Sequence, residues 1–277
     1  MNIEMFEGYM TAQTPISHGS DDKLGNDISL RRLKYHVNGK YKEIPVISAN
    51  SLRGILRRRI MTDFMERMNY KCNSKKIFRF LMAGGILEEV SKKDSGILNL
   101  SMREEIRKLM PPIDLLGGTL GNQNFDGKLD VMPIQVICKE LEEFLPSNTE
   151  IAPDKSIHEF IDWDFATTKD PLGGSDGEGD KSAQMIYNWE VFVPGTPFTL
   201  GFVLRDADEI VKGCFIRLLN LWHEYPVIGG KAATGHGRVK INIDYSKEDE
   251  KDYLNYIDEN KEKIVSKLDL LCKEYTP

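Results

Sequence analysis

The sequence predicts an α+β fold whose core elements follow the order strand, helix, strand, strand, helix, strand. Three observations predict it. Apolar residues recur at helical spacing in two separate segments, 48–68 and 206–225. Apolar and polar residues alternate in short segments before and after each of these helices. Stretches rich in glycine, proline or charge separate the regular segments and are typical of loops and insertions.

The first strand is predicted over residues 2–14, followed by an exposed loop at 15–27, PISHGSDDKLGND. A hairpin comes next, with its turn at Asn38-Gly39 between LKYHV and KYKEIPVIS. Asn-Gly between alternating residues is a strong short hairpin signal, because both positions tolerate a positive φ.

The first helix is predicted over residues 48–68, with Ser48 or Asn50 accepting bonds from its free N–H groups. Arg53 and Arg57 are four residues apart, so they share one face near the helix N-terminus. The helix dipole and both side chains would favour an anion there.

Two insertions interrupt the core. Residues 70–125 contain short helical patterns and a turn-rich segment, PPIDLLGGTLGNQNFDG, and they predict a helical insertion. A strand follows at 128–140, where Pro133 indicates an edge position or a bulge. Residues 139–187 are acidic, and the glycine-rich part at 170–182 predicts a mobile segment that proteases cut first.

The remaining elements complete the core. A hairpin turns at PGT (194–196), the second helix follows, and a last strand occupies 238–245. The order is the βαββαβ pattern of the ferredoxin-like fold, which RNA-recognition modules share. The predicted organisation is a core of residues 1–69, 126–138 and 188–247, the two insertions, and a C-terminal helix in residues 248–277.

Composition excludes several classes. The chain has 277 residues and a net charge of −6, with no run of eighteen apolar residues and no secretion signal, so a cytoplasmic protein without a membrane span is expected. The four cysteines form no CxxC pair, which argues against a zinc site or a disulfide framework. Charge is segregated: residues 31–59 contain nine basic residues and one acid, whereas 140–180 contain twelve acids and two lysines. The basic block indicates either a nucleic-acid surface or a solvated face.

The segment IGGKAATGHGRVKI (228–241) joins the second helix to the last strand. It lacks the GxxxxGK(S/T) spacing of a P-loop, and it leads into a strand rather than a helix as a dinucleotide loop would. Its glycines would suit a tight connection that needs positive φ. Lys231 and Arg238 favour a second interpretation, a loop whose backbone approaches phosphate.

Four stretches in this order resemble the motifs of the repeat-associated CRISPR protein (RAMP) superfamily. They are TPISHGSDD after the first strand, IPVISANSLRGILRR at the first helix, WEVFVPGTPFTLGFVL in the second hairpin, and VIGGKAATGHGRVKI. The resemblance is strongest to the backbone subunit of multisubunit CRISPR effector complexes, nearest to the type IV protein and next to type III.

The resemblance implies a hand-shaped scaffold. A ferredoxin-like palm would bind guide RNA (crRNA) without regard to sequence, and residues 139–187 would be a thumb that inserts between bases. Copies would line up head to tail along the guide, with base-paired target nucleic acid and other effector subunits as further partners. Within the thumb, Trp163, Phe160 and Phe165 would either stack on bases or pack together.

The resemblance also leaves an enzymatic alternative open. A loop aspartate cleaves target RNA in type III relatives, and Asp27 matches it best by position, with Asp22 second. His18 is the nearest partner for proton transfer, though such loop acids often only cap turns. A scaffold without catalytic residues is the preferred interpretation, ahead of an endoribonuclease, metal-assisted or metal-free, and of a small-molecule enzyme.

No cofactor or metal is expected, because the histidines show no ligand spacing. The RNA-binding residues expected from these motifs are His18, Arg31, Arg32, Ser51, Arg53, Arg57, Gly229, Gly230, Lys231, His236 and Arg238.

Overall fold

The computed structural model describes residues 2–24, 27–85, 99–168 and 185–275. The strands of these residues are β1 Ile3–Ala12, β2 Gly19–Leu24, β3 Asp27–Leu30, β4 Arg32–Val37, β5 Lys40–Pro45, β6 Gly118–Leu120, β7 Gln123–Phe125, β8 Leu129–Val131, β9 Ile161–Thr168, β10 Met185–Phe192, β11 Pro197–Arg205 and β12 Val239–Ile243. The α-helices are α1 Ala49–Met68, α2 Lys75–Ala83, α3 Leu100–Leu109, α4 Pro111–Leu116, α5 Glu209–Glu224, α6 Lys251–Glu259 and α7 Lys261–Glu274. The prediction of a mixed α+β protein is confirmed.

The main sheet has four antiparallel strands in the order β12, β1, β11, β8. The longest pairing joins β1 to β11, from Ile3 opposite Arg205 to Thr11 opposite Pro197. Alternate residues of β1 therefore face opposite sides of the sheet, with Met10 and Ala12 buried on one of them.

Helices α1 and α5 cover the buried face of this sheet. Phe215 of α5 contacts Phe6 of β1 and Phe202 of β11, with ring centroids 4.9 and 5.4 Å apart. From α1, Leu52, Leu56, Ile60, Met61, Phe64, Met65 and Met68 enter the same core. The apolar residues that recur at helical spacing in the sequence therefore form one continuous buried core.

A second four-stranded sheet has the order β2, β3, β10, β9. The hairpin predicted across PGT is therefore wrong, because β10 pairs with β3 and β9 whereas β11 pairs with β1 and β8 in the main sheet. Glu190 of β10 contacts two neighbouring strands. Its carboxylate accepts a hydrogen bond from the Leu30 N–H of β3 at 2.8 Å and pairs with Arg32 of β4. Glu190 is only 7% exposed, and these donors supply the partners that a buried carboxylate requires.

The predicted Asn38-Gly39 hairpin is confirmed as β4–β5, with φ of 49° and 77° at its two turn residues. The C-terminal segment, predicted as a single helix, instead forms α6 and α7 with a break at Asn260. Ser48 precedes α1 but makes no side-chain capping bond. The stretch predicted to be cut first by proteases, 170–180, lies outside the described residues.

Among the helices of the described residues, none has both the length and the apolar character that crossing a lipid bilayer requires.

Candidate nucleic-acid interface

The glycine-rich loop between α5 and β12 folds back on the segment that follows β1. The N–H of Gly230 donates to the Ser17 carbonyl at 2.8 Å, and the N–H of Gly237 donates to Pro15 at 2.8 Å. The N–H of Arg238 donates to Oγ1 of Thr14 at 3.0 Å. Backbone contacts to residues 14–17 therefore hold the loop in one shape.

Two glycines of the loop are required by contacts within the protein itself. A Cβ on Gly229 would lie 2.6 Å from the Ser17 carbonyl oxygen, and one on Gly237 would overlap the carbonyl of Ile228. Both have a positive φ, of 73° and 85°. Glycine is present here because two backbone segments meet, which a side chain would prevent.

Lys231 and His236 of the loop contact the β9–β10 hairpin. The Lys231 ammonium lies over the Trp189 ring, a cation–π contact. His236 is 8% exposed, and its Nε2 lies 2.9 Å from Oδ2 of Asp164. Burial lowers the pKa of the Lys231 ammonium, and the charge of Asp164 partly offsets this lowering.

The second ring nitrogen of His236, Nδ1, is buried and has no hydrogen-bond partner among the described residues. Lys231 itself holds φ at 60°, a left-handed conformation that costs energy for a residue with a side chain. Strain of this kind persists where surrounding contacts over-determine the backbone. The loop is consequently held in a costly, fixed conformation.

The guanidinium groups of Arg53 and Arg57, two residues expected to bind RNA, face backbone carbonyls of the protein itself. Arg57 is 6% exposed, and its Nη2 donates to the carbonyls of Leu116 and Gly117 at 2.6 and 2.8 Å. Arg53 donates to Leu116 at 2.8 Å and to Leu129. Both guanidinium groups satisfy backbone carbonyls where α1 meets the helical insertion.

The next two residues of the same helix are the ones that face outward. Arg58 is exposed and makes no hydrogen bond or ion pair with any described residue. Arg59 donates to the Leu221 carbonyl at 3.1 Å, and its guanidinium carbon lies 5.3 Å from the centre of the Tyr225 ring. Sequence reasoning missed this pair, although helical spacing places Arg57 in line with buried Met61 and Phe64.

His18, Arg31 and Arg32 lie beside the loop. Nε2 of His18 accepts a bond from the Ser48 N–H at 3.1 Å, so the proton of the neutral ring is on Nδ1. Burial, and then the charge of Arg31, lower the pKa of His18. Arg31 is exposed, whereas Arg32 is half-buried and paired with Glu190. Of the three, Arg31 is the residue whose cation faces solvent.

A family model described as the RAMP superfamily matches residues 10–240. The chain belongs to the RAMP superfamily. A chain of a solved structure titled "Type IV-B CRISPR Complex" is similar to it, with a TM-score of 0.61 and 21% sequence identity. That match covers 88% of this chain and 91% of the other, and at this identity it shows a shared fold. No curated protein matches the chain.

Of the residues considered for RNA cleavage in this RAMP protein, the two whose side chains are described, His18 and Asp27, share no hydrogen bond. Oδ1 of Asp27 accepts a bond from the Asn188 amide at 2.8 Å, which ties β3 to β10. Nε2 of His18 is already an acceptor for Ser48. The side chain of Asp22 lies outside the described part of the chain.

Ser51 lies half-buried in the first turn of α1, and its N–H donates to the Ser48 carbonyl at 3.0 Å. This is an ordinary contact of a helix start. Ser51 is uncharged, so it adds no positive charge to the candidate interface of this RAMP protein.

The aromatic residues of the β9 segment have different environments. Phe160 is 6% exposed and packs in the core, whereas Trp163 and Phe165 are 51% and 70% exposed on alternate residues of β9. On the paired strand, the rings of Tyr187 and Trp189 stack with centroids 6.3 Å apart. Packing is therefore the role of Phe160, while the two exposed rings are available to stack on an external partner.

The candidate interface of this RAMP protein is a cationic surface around the glycine-rich loop. Lys231 and Arg238 from the loop, Arg31 from the neighbouring strand connection, and Arg58 and Arg59 from α1 contribute the cations. Such a surface attracts phosphate groups without reading base edges.

Proposed function

We propose that this protein is a CRISPR effector backbone subunit that binds guide RNA independently of sequence and oligomerises along it. One observation carries the proposal. Two exposed cations, Arg31 and Arg58, flank a loop that carries two more, the exposed Arg238 and the half-buried Lys231 over the Trp189 ring. A net charge of −6 for the whole chain makes this local concentration of positive charge the natural site for a polyanion.

Membership of the RAMP superfamily supports the proposal. The structural neighbour belongs to a CRISPR complex according to its title, and the likeness covers most of both chains. By analogy, the present chain would assemble with other subunits of such a complex. Analogy of fold alone does not assign a function, so the assignment depends on the cationic surface as well.

The main sheet also supports a ferredoxin-like palm. In chain order its strands are β1, β8, β11 and β12, with α1 after the first and α5 after the third. We assign residues 1–69, 126–138 and 188–247 to the palm, 70–125 to the helical insertion and 139–187 to the thumb. The exposed rings of Trp163 and Phe165 suit a thumb that touches bases.

Head-to-tail growth along the guide is part of the proposal. A heterologous contact between copies generates an open filament, which suits a long RNA and a variable number of subunits. The guide would leave its base edges free for a base-paired target, because the protein holds phosphates.

RNA binding is tested with the double variant Arg31→Gln and Lys231→Gln. Affinity for a labelled single-stranded RNA is measured by fluorescence anisotropy over a range of salt concentrations. The slope of log affinity against log salt should fall by about 0.7 for each phosphate that the variant no longer neutralises, for several unrelated RNA sequences alike. The matched control, the double variant Lys263→Gln and Lys273→Gln on α7, removes the same two charges at exposed sites in the C-terminal segment and should bind like the wild type.

Two results would contradict the proposal: RNA affinity that is unchanged in the double variant, or a reduction confined to particular base sequences. Light scattering of the protein on long RNA tests assembly, and one protein per RNA would exclude a filament. Incubating the same RNA with the wild type and with Asp27→Ala tests the endoribonuclease alternative. If the wild type cleaves the RNA and Asp27→Ala does not, the protein is an endoribonuclease rather than a scaffold.

A further inference from the structure

Beside the glycine-rich loop lies a second feature, a cavity of about 550 Å³ between α1 and the end of α5. Gly229 and Ala232 of the loop form one edge, and Arg58 and Arg59 contribute to the α1 wall. Tyr225, the residue after α5, lies in the cavity and is 47% exposed. This volume is within the range of pockets that hold small ligands.

Two arginines flank the Tyr225 ring. The guanidinium carbon of Arg59 lies 5.3 Å from the ring centre, and that of Arg238 lies 5.8 Å away. Both distances are within the range of cation–π attraction. Because Arg59 comes from α1 and Arg238 from the start of β12, the ring brings together cations from two separate elements.

Charge divides the cavity into two ends. Arg58 and Arg59 precede Glu66 on α1 by two helical turns, which corresponds to about 12 Å along the helix axis. Glu66 supplies the carboxylate at the far end. Burial lowers the pKa of Arg59, and the charges of Tyr225 and Glu224 partly offset this, so Glu224 lies at the arginine end. Asp63 is paired with Arg217 at 2.5 Å and with Arg67 at 3.3 Å, so its charge is already neutralised by other residues.

We infer that this cavity takes one unpaired nucleotide of the bound RNA, with its phosphate on the Arg58 side and its base against Tyr225. The inference rests on the proposed function, because it presupposes a single strand on the glycine-rich loop. A nucleotide fits the divided charge better than inorganic phosphate does. Its anionic group meets the arginines, while N–H donors on its base face the Glu66 carboxylate, which accepts hydrogen bonds.

Two variants test the inference in the full-length chain. Tyr225→Ala removes the ring, and it should weaken binding of a labelled single-stranded RNA about tenfold, the size expected for one stacked base. Tyr225→Phe keeps the ring and should bind within about twofold of the wild type. Arg58→Gln changes a side chain that has no partner among the described residues, so it should reduce the salt slope by about 0.7 without loss of stability.

The outcomes separate the inference from the proposed function. If Tyr225→Ala and Arg58→Gln bind RNA like the wild type while the Arg31/Lys231 double variant does not, the cavity is not a nucleotide site and the backbone role stands. If the wild type binds no RNA, the nucleotide site and the proposed function are both wrong. Circular dichroism of each variant shows whether the protein is folded, and Tyr225→Leu, which keeps side-chain bulk without an aromatic ring, decides the question if Tyr225→Ala unfolds. Competition by millimolar inorganic phosphate as effective as competition by a mononucleotide would also overturn the inference, since phosphate alone would then suffice.

Discussion

Replacing Arg57 by methionine should destabilise this protein without a direct effect on RNA contacts. Arg57 is buried, and its Nη2 supplies hydrogen bonds to two carbonyl oxygens, those of Leu116 and Gly117. Burial, and then the charge of Arg53, lower the pKa of Arg57 to about 10, so the group is still charged at neutral pH. The variant keeps most of the side-chain volume and removes both donors.

The magnitude follows from those two bonds. A hydrogen bond from a charged donor contributes about 1.5–3 kcal/mol, so removing two costs about 3–6 kcal/mol. Because methionine is uncharged, the variant does not bury a charge, and this offsets part of the free energy lost with the two hydrogen bonds. A net destabilisation of about 3 kcal/mol is expected, and for a chain of this size it lowers Tm by about 6–12 °C.

The assay is thermal unfolding followed by circular dichroism, with Arg58→Met as the matched control. Arg58 lies on the same helix but is exposed and without a partner among the described residues, so its replacement should change stability by no more than about 0.5 kcal/mol. RNA affinity of the folded Arg57→Met variant is then compared with that of the wild type. If Arg57→Met melts with the Arg58→Met control yet binds RNA more weakly than the wild type does, Arg57 contacts RNA and its structural role is refuted.

Two further predictions concern the loop and its neighbour. In a thermal melt, Gly237→Ala should lower Tm at least twice as much as Gly235→Ala. Both positions have a positive φ, but only at Gly237 would a Cβ overlap the Ile228 carbonyl. Equal decreases in Tm would contradict the close contact at Gly237. His18 has a lowered pKa in the folded protein, so below pH of about 6.5 the unfolded chain binds a proton that the folded chain does not, and stability falls with acidification. His18→Gln retains an acceptor for the Ser48 N–H, and its Tm should therefore fall less than that of the wild type between about pH 7 and about pH 5; an identical decrease on acidification would place the titrating group elsewhere.

The sequence was sufficient for the elements that depend on local pattern. The Asn38-Gly39 turn and both core helices follow from backbone preference and from the spacing of apolar residues. The break at Asn260 was missed because the apolar stripe continues through it, from Ile257 to Ile264. A stripe shows which face is buried, but it does not show whether one helix or two present that face.

The site was only partly predictable for a different reason. Its loop was found from glycine and lysine in one short segment, whereas the exposure of each arginine on α1 depends on what packs against that helix. Leu116 and Gly117 lie about 60 residues further along the chain, and their free carbonyls draw Arg57 inward. The need to pair these two carbonyls exists only in the folded protein, so the residues around Arg57 in the sequence do not indicate it.

The anchoring of the glycine-rich loop has a consequence for biosynthesis. Arg238 is bonded to Thr14 across 224 residues of sequence, and Gly237 is bonded to Pro15. Contacts of such long range form late in folding, because the chain between them must first be closed into a loop. A nascent chain that has not yet emerged from the ribosome beyond residue 238 therefore lacks the finished loop, and under the proposed function it could capture RNA only after that residue has emerged.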